Sequence, residues 1–305
     1  MVGTSSIRHL ANNEIDKVKW DACIAGSPNG LVYVNSFYLD RMAKHWDALV
    51  LGDYEAVMPL TWNKKYGIAY LYQPAFLAAG GVFGRDLHAR LIHQFIEAIP
   101  RRFRLIEISL NHGNAVEGNR TLRKNNFILD LNKPYEEIYR QYRDTIKRNV
   151  KKSKQAGCYC KVDIPVEQVI RISREQLKKK VPVSDRDYHQ FRELYSYLHA
   201  RRQAITYGIF NPANELLASC VYFFGHQRAY YILVGNQPYG RTSGASHFLI
   251  DRFIEDHSGQ ELLLDFEGSD IRNLAFFYSS FGAVQETYPA LRINRLPGWI
   301  KWMKN

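Results

Sequence analysis

The chain has 305 residues, 46% of them hydrophobic, with a formal net charge of +11 and a pI near 9.4. That is about twice the ~150-residue domain prior, with apolar content for two packed cores, so a two-domain soluble protein is expected. Met1–Leu10 has no apolar run long enough for a signal peptide, and no segment approaches the ~20 apolar residues of a membrane span, so a cytoplasmic location is expected. The charge favours an acidic partner: nucleic acid, a nucleotide cofactor or an anionic surface.

In chain order, the first half predicts strands at Ala48–Leu51, Ala56–Leu60 and Ala69–Tyr72, a helix at Leu87–Ala98 and a strand at Leu105–Ser109. A weaker helix, Asn119 to Phe127, and a strand to Leu131 complete it. Between Tyr135 and Gln155 the residues Tyr135, Ile138, Tyr139, Tyr142, Ile146 and Val150 share one helical arc, opposite Arg140, Arg143, Lys147, Arg148, Lys151, Lys152 and Lys154. This predicts one long basic helix ending at Gly157, whose charged face meets either water or phosphate.

The second half predicts helices at Pro165–Lys180 and Arg186–Arg202, then strands at Ala204–Phe210, Leu216–Phe224 and Arg228–Val234. A helix over Ser243–His257, a strand at Glu261–Phe266, a helix at Ile271–Phe281 and a strand at Val284–Ile293 follow. The element order of the first half thus recurs, and a local echo supports duplication: Gly84-Arg85 leads to Leu91-Ile92 and Phe95-Ile96-Glu97, as Gly240-Arg241 leads to Leu249-Ile250 and Phe253-Ile254-Glu255. The fold class is therefore α/β (α+β), two tandem domains, each a mixed, mainly antiparallel sheet flanked by helices. The expected division is residues 1–134, a basic linker helix at 135–160, and 161–305.

The stretch Ile232–Ile250 carries the most chemistry. A β-branched strand runs through a Gly/Ser/Thr turn into an amphipathic helix, and the unpaired N–H groups at a helix start can cradle a phosphate. Within it, Arg241-Thr242-Ser243-Gly244-Ala245-Ser246 resembles the Arg/Gln-x-x-Gly-x-Gly/Ala loop of the GNAT superfamily of N-acetyltransferases, and Val234, Pro238-Tyr239 and Leu249-Ile250 resemble its flanks. Asn273 and Tyr278, before Phe281-Gly282, resemble that superfamily's later helix. The two-half layout with a basic helix between further resembles the FemAB-type aminoacyl and peptidyl transferases. By element order that resemblance covers nearly the whole chain, and by motif only the second half.

Two departures matter. Ser246 stands where the loop pattern has Gly or Ala, and its hydroxyl could itself donate to phosphate. The first half has Gly84-Arg85-Asp86-Leu87-His88-Ala89 with no second loop glycine, and its later helix lacks the tyrosine. The first half is therefore read as structural or substrate-binding, and the second as active. The chain has no room for the helical-hairpin arm of some FemAB-type members.

The resemblance implies a donor site built from Val234, Gly235, Asn236, Arg241, Thr242, Ser243, Gly244, Ala245, Ser246 and Asn273. It implies direct attack of an amine on an acyl carbonyl polarised by backbone N–H groups of the strand Tyr230–Asn236, with Tyr278 protonating the leaving group. The bland alternative for Tyr278 is a ring packed on a helix face. Asp265 and Glu267 are expected on one face of a strand end, Glu267 as general base and Asp265 as a substrate carboxylate, while Ser269 or Asp270 caps the helix from Ile271. Further candidates for substrate or RNA contacts are Arg143, Lys147, Arg148, Lys151, Tyr231 and Ser269.

Other chemistries find no pattern. His88 and His93 are five apart, and His189, His199, His226 and His247 form no ligand-spaced pair. Cys158-Tyr159-Cys160 lacks the second pair a zinc would want, and with Cys23 and Cys220 these read as reduced thiols. No Gly-x-Ser-x-Gly elbow is present, and Gly80–Gly84 is a turn, since no Gly-Lys-Ser/Thr follows. The expected function is acyl or aminoacyl transfer, from acyl-coenzyme A or aminoacyl-tRNA, to an amine on a small molecule, peptide or cell-wall precursor, without a metal. The alternative is a non-catalytic nucleic-acid-binding or scaffolding protein that retains the fold.

Overall fold

The computed structural model describes residues 6–116, 118, 121–177, 183–268 and 270–297, with backbone alone at Leu177 and Arg241. Two compact units are present: Met1–Lys124 with Thr287–Asn305, and Asn125–Glu286. The first unit contains β1 (Ile7–Leu10), α1 (Lys17–Ala25), α2 (Ser36–Met42), β2 (His45–Leu51), β3 (Ala56–Lys65), β4 (Ile68–Leu71), β5 (Phe83–Gly84), α3 (Ala89–Glu97) and β6 (Phe103–Ser109). Its sheet runs β1-β2-β3-β4-β6 with β5 on β3, and among the described residues β4 and β6 are the pair in parallel.

β7 (Thr121–Asp130) leads into the second unit, with α4 (Tyr135–Gln141), α5 (Asp144–Gln155), β8 (Tyr159–Val162), α6 (Val166–Leu177), α7 (Asp185–His199), β9 (Ala204–Phe210), β10 (Leu216–Gly225) and β11 (Arg228–Asn236). Then come α8 (Pro238–Thr242), α9 (Ala245–His257), β12 (Leu263–Asp265), α10 (Arg272–Ser279) and β13 (Val284–Asn294). The order is β8-β9-β10-β11-β12-β7, and again one pair, β11 with β12, is parallel. Parallel neighbours need a crossover, which α3 provides in one unit and α9 in the other. Both units therefore repeat one α/β plan, a mixed, mainly antiparallel sheet flanked by helices.

β1, α1 and α2 were not expected from the sequence, and three further differences bear on the site. Residues 121–130 form β7, where a helix over 119–127 was expected: Leu263, Leu264 and Asp265 pair with Asp130, Leu129 and Ile128, so tertiary pairing overrides local preference. The division also differs, because the second unit begins at Asn125 and Ala290–Asn294 of β13 pair with β6 in the first. The end of each half thus completes the other unit's sheet. The single basic helix is in fact two, broken where Tyr142 and Arg143 turn extended. Tyr142 is buried edge-on against Phe281, and the Arg143 N–H donates to the Ser280 carbonyl at 3.0 Å, contacts that a continuous helix would forfeit.

α5 is not a free-standing linker. Its buried Ile146, Val150 and Ser153 face inward and it packs on α9, which itself buries Ala245, Phe248, Leu249, Ile250, Phe253 and Ile254. The close approach falls at Gly244, the left-handed residue (φ 81°) that starts α9: a Cβ there would lie 2.3 Å from the Asn149 carbonyl oxygen of α5. Only glycine satisfies both constraints. Gly244→Ala should therefore cost about 2 kcal/mol or more, read as a lower urea midpoint. Unchanged stability would contradict this packing.

Candidate active site

β11 carries a register slip. Val221 of β10 faces Leu233, yet Tyr222 faces Tyr231, so Ile232 is a bulged residue without a partner in β10. A bulge re-aims the following side chains and takes a backbone amide out of the ladder. Before it, Ala229 and Tyr231 join the core beneath α9. After it, Gly235 turns to α6, where a Cβ would meet Ser173 and Ile172 below 3.0 Å. On the other side, pairing with β12 stops at Tyr230 opposite Asp265. β11 therefore runs on from Tyr231 with β12 no longer beside it.

Aromatic rings gather at this divergence. Tyr278 of α10 stacks on Phe266, the residue after β12, at 4.6 Å between centroids, and meets Tyr231 edge-on at 6.5 Å. Burial first, and then the negative charge of Glu267, push the Tyr278 phenol well above its ordinary pKa, so it stays protonated. Tyr231, Phe266 and Tyr278 are thus brought together beside the bulge, with Glu267 near enough for its charge to act on the phenol.

The two carboxylates are placed otherwise than expected. β12 ends at Asp265, and Glu267 adopts a left-handed conformation (φ 60°) in the turn beyond it. Asp265 is 4% exposed and accepts from Asn126 Nδ2 at 2.9 Å, Arg228 Nη1 at 2.8 Å and the Glu267 N–H at 2.8 Å. It has no face for a substrate. Ser269 lies outside the described residues.

Around the expected phosphate cradle several polar groups are bonded within the chain. Residues 238–242 are helical (α8), the Asn236 N–H donates to Gln176 Oε1 at 2.8 Å, and Val234 is half-buried against the core. Thr242 Oγ1 donates to the Tyr239 carbonyl, buried Ser243 Oγ to the Gly240 carbonyl, and Lys152 Nζ to the Thr242 carbonyl at 2.8 Å. Gly244 is backed by α5, Ala245 is fully buried and Ser246 half-buried. The Arg241 side chain lies outside the described residues, and Asn273 is exposed on α10. The side-chain hydroxyls of Thr242 and Ser243 are thus spent on the turn's own carbonyls rather than offered to a pyrophosphate at Gly244. The glycine serves helix packing instead.

Of the basic candidates, Arg143, Arg148 and Lys151 are exposed, with Arg143 over the Phe276 ring at 4.5 Å. Lys147 Nζ donates to the Arg140 carbonyl at 3.2 Å. Beside the carboxyl end of β11, a cavity of about 880 Å³ is lined by Lys161, Gln168, Arg171, Gln237 and Tyr239. Among the described residues no group of three or more His, Cys, Asp or Glu could hold a metal ion, and no helix is long and apolar enough to cross a membrane.

Sequence reasoning missed the bulge, for which composition carries no signal, and Arg228, whose charge at the head of an apolar strand could have flagged a buried partner. It also missed His247. That ring sits edge-on to Phe277 at 5.0 Å, with Nδ1 buried and without a hydrogen bond among the described residues.

No family model matches the sequence, and no curated protein matches it. Solved structures do. FemX superposes with a TM-score of 0.64 at 12% identity, covering 98% of this chain and 100% of its own. A conserved protein of unknown function from Bacteroides thetaiotaomicron gives 0.57 at 11% identity, covering 94% and 99%. The C-terminal domain of a candidate lysylphosphatidylglycerol synthetase from Agrobacterium fabrum gives 0.55 at 11% identity, covering 94% of each chain. At such identities the likeness establishes the fold alone: this chain has a FemX-like, FemAB-like fold.

Burial lowers the His247 pKa from 6.5 to about 4. The folded state thus favours the neutral ring, and this contribution is fully present above pH 6.5. It is lost as pH falls toward 4, where the unfolded chain takes up a proton the folded chain refuses. The fall in urea midpoint between pH 7 and pH 4.5 should therefore be smaller for His247→Phe than for the unsubstituted chain. Equal falls would contradict the assignment.

Proposed function

We propose that the second unit transfers an acyl or aminoacyl group from an activated ester to an amine, at the point where β11 leaves β12. The bulge at Ile232 carries this reading: it frees backbone at the one place where Tyr278 and Glu267 converge. The amine nitrogen attacks the donor carbonyl, and β11 N–H groups at the bulge stabilise the developing oxyanion, a contribution worth roughly 2.7–4 kcal/mol per donor elsewhere. Glu267 accepts the proton lost by the amine. Tyr278 gives its proton to the departing oxygen as the carbon–oxygen bond breaks, and the high pKa that burial imposes keeps that proton in place until then.

Of the donors implied by the resemblance, we take aminoacyl-tRNA. The hydroxyls of Thr242 and Ser243 are turned to the chain's own carbonyls, while exposed Arg143, Arg148 and Lys151, with Lys147 beside them, offer charge to an RNA backbone. Lys161 and Arg171, at the cavity beyond β11, offer two more cations. The acceptor is an amine on a small molecule, peptide, lipid or cell-wall precursor.

The first unit is structural or substrate-binding in this reading. Buried amides support it: Asn111 Nδ2 donates to the Gly80 carbonyl at 2.9 Å, Asn29 Nδ2 to Asn111 Oδ1 at 2.9 Å, and Asn114 Oδ1 accepts from the Val82 N–H at 2.8 Å. They tie down the segment after β4, the counterpart of the one after β11.

Melting with acetyl-coenzyme A, coenzyme A and bulk tRNA separates the donors. A ligand at 100 times its dissociation constant adds about 2.7 kcal/mol of stability. The expected result is a shift with tRNA alone, and a shift with coenzyme A alone would reverse the donor assignment. In single-turnover transfer to a panel of amines, Tyr278→Phe should lower the rate at least about tenfold. Full turnover by that variant would remove the acid role, and salt-sensitive tRNA binding without any transfer would identify a binding protein.

A further inference from the structure

The turn after β12 contains two successive left-handed residues, Glu267 at φ 60° and Gly268 at φ 86°. Glycine adopts this conformation freely, but a glutamate there costs about 1–2 kcal/mol. Such backbone persists where its surroundings over-determine it. Here the surroundings are buried charges. The Glu267 N–H donates to Asp265 Oδ1 at 2.8 Å, while Arg228 Nη1 holds Oδ2 at 2.8 Å and Asn126 Nδ2 shares Oδ1 at 2.9 Å. Arg228 is itself clamped by Glu286, at 3.0 Å through Nη1 and 2.8 Å through Nη2. Arg228 and Asp265 are 7% and 4% exposed.

We propose that the buried Arg228–Asp265 pair is a positioning device, which locks the left-handed turn at Glu267 and so keeps that carboxylate beside Tyr278. The role of Glu267 rests on the proposed transferase reading, but the lock does not. A buried ion pair is weak evidence for stability, since well-packed apolar residues often serve equally well, so orientation accounts better for these charges. Asp265 suits orientation because both its oxygens are committed. The charge-assisted bond to the Glu267 N–H sets the backbone two residues on, and Phe266 between them stacks on Tyr278.

Two double-variant cycles test this. For kcat, Asp265→Asn should lower turnover about tenfold or more with KM within about twofold, and Asp265→Asn with Glu267→Gln should be no slower than Glu267→Gln alone. Effects that multiply would mean that Asp265 does not act through Glu267, and would overturn the proposal. The second cycle needs no activity. Glu267→Gly should keep or raise Tm, because glycine holds φ 60° unaided, and in that background the Tm loss from Asp265→Asn should be measurably smaller, the remainder being the loss of Arg228's partner. An equal loss in both backgrounds would overturn the lock while leaving the transferase reading intact. Absence of transfer with a reduced loss would do the reverse.

Discussion

Strand β11 is flanked on both sides only as far as Tyr230, and what is distinctive about the second unit follows from that limit. Beyond it β12 has ended, and toward β10 the bulge at Ile232 shifts the register, so Gly235 turns to α6 while Tyr231 stays under α9. A strand inside a mixed sheet normally spends its N–H and C=O groups on its neighbours. One that loses a neighbour partway along has polar backbone for something else. α9 is the crossover that the parallel β11–β12 pair requires, and Tyr278 and Glu267 come from the segments following β12.

The surroundings of this opening divide into packing and chemistry. α6 and α5 close the flanks through glycines, at Gly235 and Gly244 respectively, where no side chain fits. The buried Arg228, Asp265, Glu286 and Asn126 sit beneath the turn that bears Glu267. Local strain at Glu267 and a desolvated phenol at Tyr278 are both costly, and both occur at one point. That coincidence motivates the proposed site better than either feature alone.

The element order, the duplication and the stretch from β11 to α9 were legible because they rest on hydrophobic period and turn residues, which are local. Tyr278 was singled out through the resemblance of its helix, and Glu267 through its place at a strand end. What escaped was decided by contacts between distant segments. Gly244 has the composition of a phosphate turn, and its use as a helix contact depends on Asn149, nearly a hundred residues away. The break between α4 and α5 depends on Phe281 and Ser280, and the strand at residues 121–130 on pairing with β12. Asp265 and Glu267 alternate as a strand would, yet the strand stops between them because the Asp265 side chain captures the Glu267 amide.

The central claim is that acyl transfer occurs where β11 leaves β12. A structure with a non-transferable donor analogue bound, an aminoacyl-adenosine amide, tests it most directly. The account predicts the carbonyl oxygen, or the group replacing it, within about 3 Å of a β11 backbone N–H at Ile232–Val234, with Tyr278 facing the leaving side. An analogue bound with its carbonyl remote from that bulge would contradict it.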